Sequence, residues 1–418
     1  MRLFLALWSG LWTLCLPLIL VYLRRRARKD ALYGQHLAER FGRYPQRMPG
    51  AVWVHAVSLG EVRSAVPLIR GLLDRGERVV ITLFTPAGRR EAERVFAADI
   101  AAGRLAAVWV PLELDWCFGG FFRAFQPRLG LVMEIEIWPR MVWAARARGV
   151  PFYMCNAQYP VDSMMRDAKF PLRPAVMRRF AGAFVKSALQ KRRFDGIGVP
   201  DVTVTGELRF DQPIPAAHLA AGQAARPAGR RVIAFASVTE PEEELVLDTL
   251  SALLARPAPP FVVLIPRAPE RFDAMAQALT DRGIAFTRRS TGFDADLRPT
   301  QPLADVLLGD SLGEMYFYLA MADRVAVGGG FQPKGSHNII EPLALGKAVI
   351  VGPFVQTIEY PAVEAVAAGV CHQTRAEGLV QALTDWPGPA PEAIAGFLEE
   401  HSGATRRTLA EIERRLRP

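Results

Sequence analysis

"AVWVHAVSLGEVRSAVPLIRGLLDRG", residues 51–76, joins a short apolar run to a longer segment whose apolar residues have helical spacing. The first part predicts a buried strand and the second an amphipathic helix. The pattern recurs at once, because "RVVITLF" at residues 78–84 is apolar and "PAGRREAERVFA" after it is helical. Strands that are apolar on both faces are typical of a parallel sheet covered by helices. This stretch therefore predicts an α/β fold.

The strand and helix alternation continues along the chain with one interruption. It stops in "QPIPAAHLAAGQAARPAGRR", residues 212–231, where no clear period remains, and restarts at "RVIAFAS". We therefore predict two doubly wound, Rossmann-like α/β domains, residues 24–214 and 215–418, with the ligand site in the cleft between them. The closing helices, from about residue 390 to 418, are expected to pack back across the first domain.

Length and composition agree with two domains. The chain has 418 residues, 50% of them hydrophobic, which is too long for one ordinary core. The four cysteines are scattered, without the spacing of a disulfide framework or a zinc site. Six histidines without an HxxEH-like pattern also argue against a metal centre. We expect neither a metal nor another cofactor.

The N-terminus predicts a membrane anchor, residues 1–23. Residues 3–23 carry no charge and are long enough to cross a bilayer as a helix. "RRRARK" follows directly, which by the positive-inside rule places the rest of the chain on the cytoplasmic side. A cleaved signal peptide is the competing interpretation, and a helix lying in the membrane interface is another.

The net charge of +9 indicates an acidic partner or a solvated face. Behind a membrane anchor, an anionic membrane surface or a phosphorylated lipid explains the excess better than nucleic acid, for which the sequence holds no motif. We therefore expect the anionic membrane surface as a partner and no nucleic acid.

"HAVSLGE", residues 55–61, occupies the strand-to-helix junction where α/β folds bind ligands. Gly60 is expected to allow a tight turn, and Glu61 lies in the first turn of the next helix. A carboxylate there has two interpretations, a helix cap or a general base that takes a proton from a substrate hydroxyl.

"MEIEIWPR", residues 133–140, is a second polar strand end. The two-residue period of a strand would point Glu134 and Glu136 to one face, and Trp138-Pro139 would end the strand. Buried acids are costly unless they are paired, so these two are either solvated at the strand exit or part of a site.

The second half of the chain holds three further candidate segments. "VGGGFQPKGSHNIIEP", residues 327–342, places a glycine turn after a strand, where backbone N–H groups can approach a phosphate, and leads through His337 and Asn338 to Glu341 on a helix. "DSLGEM", residues 310–315, is another strand-to-helix turn. "PRAPERF", residues 266–272, offers Arg267, whose forked guanidinium suits phosphate.

Together with "GELRFD" at 206–211 and "VGPFVQTIEYP" at 351–361, these segments resemble, in their order behind an anchor, the Kdo transferases of lipopolysaccharide assembly. The resemblance covers nearly the whole chain. It implies a GT-B type glycosyltransferase without a catalytic metal. It also implies transfer of 3-deoxy-D-manno-octulosonic acid (Kdo) from CMP-Kdo to the lipid A precursor, with inversion, at the cytoplasmic face of the inner membrane.

The resemblance also implies roles for particular residues. Glu61 matches the general base. The residues that match the CMP-Kdo donor region are Ser237, Arg267, Gly313, Glu314, Gly328, Gly329, His337, Asn338 and Glu341. The residues expected to bind the lipid A precursor are His55, Ser58, Gly60, Glu134, Glu136 and Asn156.

The chain departs from the family pattern at Val238, Thr239, Pro241 and Ala268 and after Asn156. These departures leave two alternatives open. One is a related GT-B transferase with another donor or acceptor, and the other is a catalytically silent, membrane-associated paralogue.

Overall fold

A computed structural model describes residues 2–416, and the chain divides into two compact units. Unit 1 comprises residues 1–212 and 402–418, and unit 2 comprises residues 213–401. Over the described residues each unit contains one seven-stranded sheet. Every strand pair in the two sheets is parallel, as the continuous apolar runs predicted.

In unit 1 the strands are ordered β3-β2-β1-β4-β5-β6-β7. They are β1 Val52–His55, β2 Val79–Leu83, β3 Leu105–Trp109, β4 Leu129–Met133, β5 Phe152–Ala157, β6 Gly182–Val185 and β7 Val202–Val204. The helices are α1 Arg2–Ala27, α2 Leu37–Arg40, α3 Leu59–Asp74, α4 Pro86–Val95, α5 Ala97–Ala101, α6 Asp115–Phe125, α7 Pro139–Ala147, α8 Val161–Lys169, α9 Leu172–Met177 and α10 Ala188–Gly196, with α20 Ala404–Leu416.

In unit 2 the strands are ordered β10-β11-β9-β8-β12-β13-β14. They are β8 Val232–Val238, β9 Phe261–Pro266, β10 Phe286–Arg288, β11 Val306–Leu308, β12 Arg324–Val327, β13 Ala348–Val351 and β14 Cys371–Gln373. The helices are α11 Ala216–Ala225, α12 Glu243–Leu254, α13 Phe272–Asp281, α14 Arg289–Gly292, α15 Met315–Met321, α16 Ile340–Ala344, α17 Glu359–Ala367, α18 Leu379–Thr384 and α19 Pro391–His401.

Both faces of each sheet are covered, which explains why the strands are apolar on both sides. In unit 1 Trp53 lies in the core on one face and Trp109 in the core on the other, and both are fully buried. The order of the strands makes β1 the neighbour of both β2 and β4. The loops after β1 and β4 therefore leave the same edge of the sheet side by side, although more than 70 residues separate them in the sequence.

Two segments differ from the sequence-based expectation. Residues 216–225, in the stretch without a clear period, form α11, where Gly222 lets the helix approach α15 so closely that a Cβ would lie 2.3 Å from the Phe317 carbonyl oxygen. At the other end of the chain, α20 belongs to unit 1, whereas α19 stays in unit 2. Leu409 and Ile412 of α20 lie in the core cluster that also contains residues of α3.

The N-terminal helix α1 is distinct from all others. By length and composition its Leu3–Ala27 part could cross a membrane, and most of its side chains are at least partly exposed.

Candidate active site

At the junction of β1 and α3, Glu61 forms hydrogen bonds with the two residues Val57 and Ser58. The Ser58 hydroxyl caps α3 by accepting from the Glu61 N–H (3.3 Å). The Glu61 carboxylate turns back toward the strand, where Oε2 accepts from the Val57 N–H (2.9 Å) and Oε1 from the Ser58 hydroxyl (2.9 Å). The bond to Ser58 satisfies an N–H group that a helix start leaves free, and the bond from Val57 ties the carboxylate to the loop before the helix. The helix-cap geometry therefore exists, and it also fixes the orientation of the carboxylate.

Glu61 differs from a solvent-exposed helix cap in its burial and in the pKa of its carboxyl. The residue is only 8% exposed, and burial raises the pKa of its carboxyl to about 7. The hydrogen bonds from Val57 and Ser58 act in the opposite direction, whereas the negative charges of Glu134 and Glu136 raise the pKa further. A carboxyl that titrates near neutral pH is suited to accept a proton from a hydroxyl group at physiological pH.

Glu134 and Glu136 follow β4 in a loop, and the strand geometry expected for them is wrong. β4 ends at Met133, and Glu134 has a left-handed backbone with φ of 56°, so the two-residue alternation of a strand does not apply. Glu136 accepts a hydrogen bond from the Trp138 indole N–H (3.0 Å), and burial raises the pKa of its carboxyl. Both carboxylates interact with Glu61 through space, so the structure brings the two predicted acidic segments together.

His55 lies behind this group of acids and is fully buried. Its Nδ1 pairs with the Thr82 hydroxyl (2.9 Å), and its ring meets Trp138 edge to face. Burial lowers the pKa of His55 to about 3, so the ring is neutral at physiological pH. Within residues 2–416 its Nε2 has no hydrogen-bond partner. In this arrangement His55 supports Trp138 from the core and does not face solvent.

Asn156 is likewise buried. It belongs to a polar network whose other members were not predicted as site residues. Its amide donates to Glu207 Oε1 (2.8 Å) and accepts from the Leu208 N–H (3.0 Å). Burial alone would raise the pKa of Glu207, but the charges of Lys186 (2.7 Å) and Arg209 lower it to about 2. Glu207 and Arg209 belong to the "GELRFD" segment that carries the resemblance, whereas Lys186, the residue after β6, has no recognisable signal in the sequence.

Arg209 connects this network to the acids. Its Nη2 donates to Glu134 Oε1 (3.3 Å) and its Nε to the Ser64 hydroxyl (2.8 Å). Gly60, by contrast, does not make the expected tight turn. The helix already begins at Leu59, Gly60 has no positive φ, and a Cβ there would have only the Ser58 hydroxyl at 4.0 Å.

In unit 2 the glycine turn after β12 is held by a buried acid. Glu242, with 0% exposure, accepts from the N–H groups of Gly329 (2.6 Å) and Phe331 (2.9 Å) and from the Thr239 hydroxyl (2.7 Å). Gly328 donates its N–H to the Ala236 carbonyl (2.8 Å). The N–H groups of Gly328 and Gly329 are therefore used inside the unit.

The same glycines allow close backbone packing. A Cβ on Gly328 would lie 2.4 Å from the Ser237 carbonyl oxygen, and one on Gly329 would lie 2.5 Å from the Gly335 carbonyl oxygen. Ser237 itself has a left-handed φ of 59° at the bulge of β8. The glycine turn is thus explained by packing and by Glu242, which sequence reasoning did not include among the site residues.

His337 and Arg267 come together beside this turn. Burial lowers the pKa of His337, and the nearby positive charge of Arg267 lowers it further. The Arg267 side chain is exposed, and among the described residues it has no ion pair. Asn338 accepts from the Ile340 N–H (3.0 Å) at the start of α16, and Glu341 lies in the first turn of that helix.

Gly313 and Glu314 form the turn before α15. Gly313 has a positive φ of 83°, which explains the glycine. Glu314 receives two hydrogen bonds from Arg289, at 2.9 and 2.6 Å, and another from the Ser311 hydroxyl. Glu314 is thus already engaged by a guanidinium. No cluster of metal-ligating side chains occurs among the residues that the structure describes.

Each unit is a doubly wound parallel α/β domain, the architecture of GT-B type glycosyltransferases, and unit 1 holds a buried carboxylate just after a strand end. The fold is similar to that of a crystallised glycosyltransferase from Rickettsia africae, at a TM-score of 0.60 and 13% identity, over 90% of this chain and 100% of that one. This likeness shows the fold alone.

Sequence comparison identifies the family. Residues 35–212 match the family model described as 3-Deoxy-D-manno-octulosonic-acid transferase (kdotransferase). The 3-deoxy-D-manno-octulosonic acid transferase of Bordetella pertussis is 40% identical over 97% of this chain and 98% of its own length. The Haemophilus influenzae protein of the same name is 31% identical over 85% of this chain and 83% of its own. The chain belongs to the 3-deoxy-D-manno-octulosonic acid transferase family and is a glycosyltransferase.

Proposed function

We propose that this enzyme transfers Kdo from CMP-Kdo to the lipid A precursor in lipopolysaccharide biosynthesis, with Glu61 as the general base. The observation that carries the proposal is the Glu61 carboxyl, which is buried, held by two hydrogen bonds and has a pKa of about 7. Family membership supports Kdo as the transferred sugar.

The reaction is a single displacement. Glu61 takes the proton of an acceptor hydroxyl as that oxygen attacks the anomeric carbon of Kdo. The bond between that carbon and the phosphate oxygen breaks, and CMP leaves with the electron pair. Attack opposite to the leaving group inverts the anomeric configuration, and Glu61 then releases the proton to solvent. Glu61 is the acid that exchanges a proton in this reaction.

Unit 1 is proposed to bind the acceptor. Ser58, Glu134 and Glu136 surround Glu61, while His55 and Asn156 support the site from within the core. The segment beyond β5 favours a lipid, because α8, α9 and the residues between them expose large apolar side chains beside basic ones. The exposed apolar residues are Val161, Met165, Phe170 and Leu172, at 43%, 57%, 71% and 47%.

A basic residue of this apolar surface lies close to one of the acids near Glu61. Arg173 of α9 lies near enough to Glu136 to lower the pKa of that carboxyl, although burial has the larger and opposite effect. An apolar surface with basic residues at its border suits an acylated acceptor that carries phosphates. The lipid A precursor has this chemistry.

Unit 2 is proposed to bind the donor. The exposed guanidinium of Arg267 beside His337 would neutralise the phosphate of CMP as it leaves. Ser237, Asn338 and Glu341 line the same strand ends and helix start. Gly313, Glu314, Gly328 and Gly329 complete the proposed donor residues; Gly328 and Gly329 would act through the shape of the turn, because their N–H groups already bind the Ala236 carbonyl and Glu242.

The N-terminal helix is proposed to anchor the enzyme in the inner membrane, with both units on the cytoplasmic side. Arg24, Arg25 and Arg26 end α1, and the positive-inside rule places such residues in the cytoplasm. The excess of positive charge favours attraction to the anionic membrane surface.

The test is release of CMP from CMP-Kdo in the presence of the lipid A precursor. Glu61→Gln keeps the size of the side chain and an oxygen that accepts from Val57, but it cannot take a proton. We expect turnover to fall at least about a hundredfold, the usual worth of a general base, without a lower melting temperature. Undiminished turnover in Glu61→Gln would leave Glu61 as a helix cap only, and no turnover in the native enzyme would refute the donor or the acceptor.

A further inference from the structure

The anchor helix α1 has one face that contacts the rest of unit 1 and one that does not. Trp12, Leu16 and Ile19 pack against Leu112, Leu114 and Cys117 of unit 1, and Leu5 and Leu23 are buried. The opposite face exposes leucines at positions 3, 7, 11, 14 and 18, with exposed fractions from 53% to 78%. The helix is therefore docked along its length, with its leucine face free to enter a membrane, which is the geometry of a helix that lies in the membrane interface.

Polar contacts fix the position of α1 along this apolar surface. The Trp8 indole N–H donates to Glu113 Oε2 (3.0 Å). Arg140 donates through Nη2 to the Leu5 carbonyl (2.8 Å) and to the Ser9 hydroxyl (2.5 Å). Apolar packing tolerates sliding, whereas hydrogen bonds between buried or partly buried groups are lost when the helix shifts by one turn.

Glu113 joins these contacts to the first turn of α7. It is 1% exposed, and its carboxylate accepts from the N–H groups of Arg140 (2.8 Å) and Met141 (3.0 Å). Trp138, the residue that precedes α7, provides no side-chain cap. Glu113 therefore acts as the cap from a distant part of the chain, and negative charge is favourable at this end of a helix.

The start of α7 is also the end of the proposed acceptor loop. Trp138 donates to Glu136, and its ring contacts His55 and Phe84. A displacement of the first turn of α7 would move Trp138 and Glu136 relative to Glu61. The contacts thus form a continuous connection from α1 through Glu113 to the loop of residues 134–138.

We propose that Glu113 is a positioning residue through which the docked anchor helix holds the acceptor loop in place. α1 would thereby set the position at which a lipid acceptor, itself anchored in the bilayer, meets Glu61. This proposal rests on the proposed function. It predicts that loss of the contact impairs use of the acceptor while membrane attachment persists.

A matched pair of substitutions on α1 tests the proposal in the full-length enzyme. Trp8→Phe removes the indole N–H that binds Glu113 and keeps an aromatic ring. Trp12→Phe makes the same chemical change one turn away, where no hydrogen bond of the indole occurs among the described residues. For Trp8→Phe we expect the KM for the lipid A precursor to rise about fivefold, the worth of one hydrogen bond, with kcat and the KM for CMP-Kdo unchanged. Trp12→Phe should leave all three unchanged.

Hydrogen exchange provides a readout that needs no turnover. The Arg140 and Met141 amides should exchange faster in Trp8→Phe, and faster still when residues 3–23 are replaced by an unrelated amphipathic helix that binds the membrane. Native exchange and a native acceptor KM in that replacement would make α1 a simple tether and overturn the proposal. A fall in kcat alone, or in melting temperature alone, would also overturn it. If the native enzyme has no turnover, the proposed function fails, and exchange alone decides whether the connection exists.

Discussion

The pKa of Glu61 leads to a specific pH dependence of the transfer reaction. A general base must be ionised, so kcat/KM for the acceptor should rise with pH until the carboxyl has lost its proton. With the pKa raised to about 7, about 1% of Glu61 is ionised at pH 5, compared with about three-quarters at its ordinary value of 4.5. The reaction at pH 5 should therefore run at about one hundredth of its rate at high pH.

The acceptor's own phosphates titrate in a similar range, so a control within the protein is needed. Glu134→Gln removes a negative charge that raises the pKa of Glu61, whereas it leaves the titration of the substrate unchanged. We expect the midpoint of the acid limb to move to lower pH in this variant, whatever happens to the absolute rate. The assay is initial CMP release from pH 5 to pH 9 at constant ionic strength.

Two outcomes would refute the reasoning. A native enzyme that keeps most of its rate at pH 5 would show that Glu61 titrates like an ordinary carboxyl or does not act as the base. A midpoint near pH 7 that Glu134→Gln does not move would assign the titration to another group, either the substrate or Glu113, since burial raises the pKa of the Glu113 carboxyl to about 7. Glu61→Gln should in addition lose the acid limb together with most of the activity.

Two further predictions concern stability. Lys186→Met leaves the buried Glu207 charge without its closest partner and should lower the free energy of unfolding by about 3–5 kcal/mol, which thermal melting would show, and adding Glu207→Gln should restore part of it. Gly328→Ala forces a Cβ to 2.4 Å from the Ser237 carbonyl and should lower the melting temperature markedly, whereas Gly60→Ala, with open space and a helical backbone, should not lower it.

The sequence predicted the architecture well because strands and helices differ in the spacing of their apolar residues, which can be read from short segments. Continuous apolar runs such as residues 79–83 predicted buried parallel strands, and they are fully buried. The segment at 216–225 was missed because Gly and Ala give no amphipathic period, and its helix is revealed only by close contact with α15. The shape of the Glu134 loop was missed because a left-handed residue at a strand end leaves no pattern in the sequence.

The sequence indicated where the candidate site lies, but it did not show which contacts each residue makes there. Strand ends in α/β folds are visible from the sequence, so Glu61, Glu134 and Glu136 could be identified as candidates. Glu242 and Lys186 could not, because their roles depend on partners 87 and 21 residues away, the Gly329 N–H and Glu207. His55 and Asn156 were expected to bind the acceptor, and the structure places both in the core of unit 1, at 0% and 1% exposure.

The sequence by itself determined the two α/β halves, the apolar N-terminal helix and the position of Glu61 at a strand end. All three follow from composition and spacing within a few tens of residues. Only the tertiary structure decided that Glu61 titrates near pH 7 and which face of α1 contacts the protein. Desolvation and Coulomb interactions depend on groups that the sheet order brings together, such as the loops after β1 and β4. The face of α1 is likewise selected by Glu113 and Arg140, since the helix is apolar on every side.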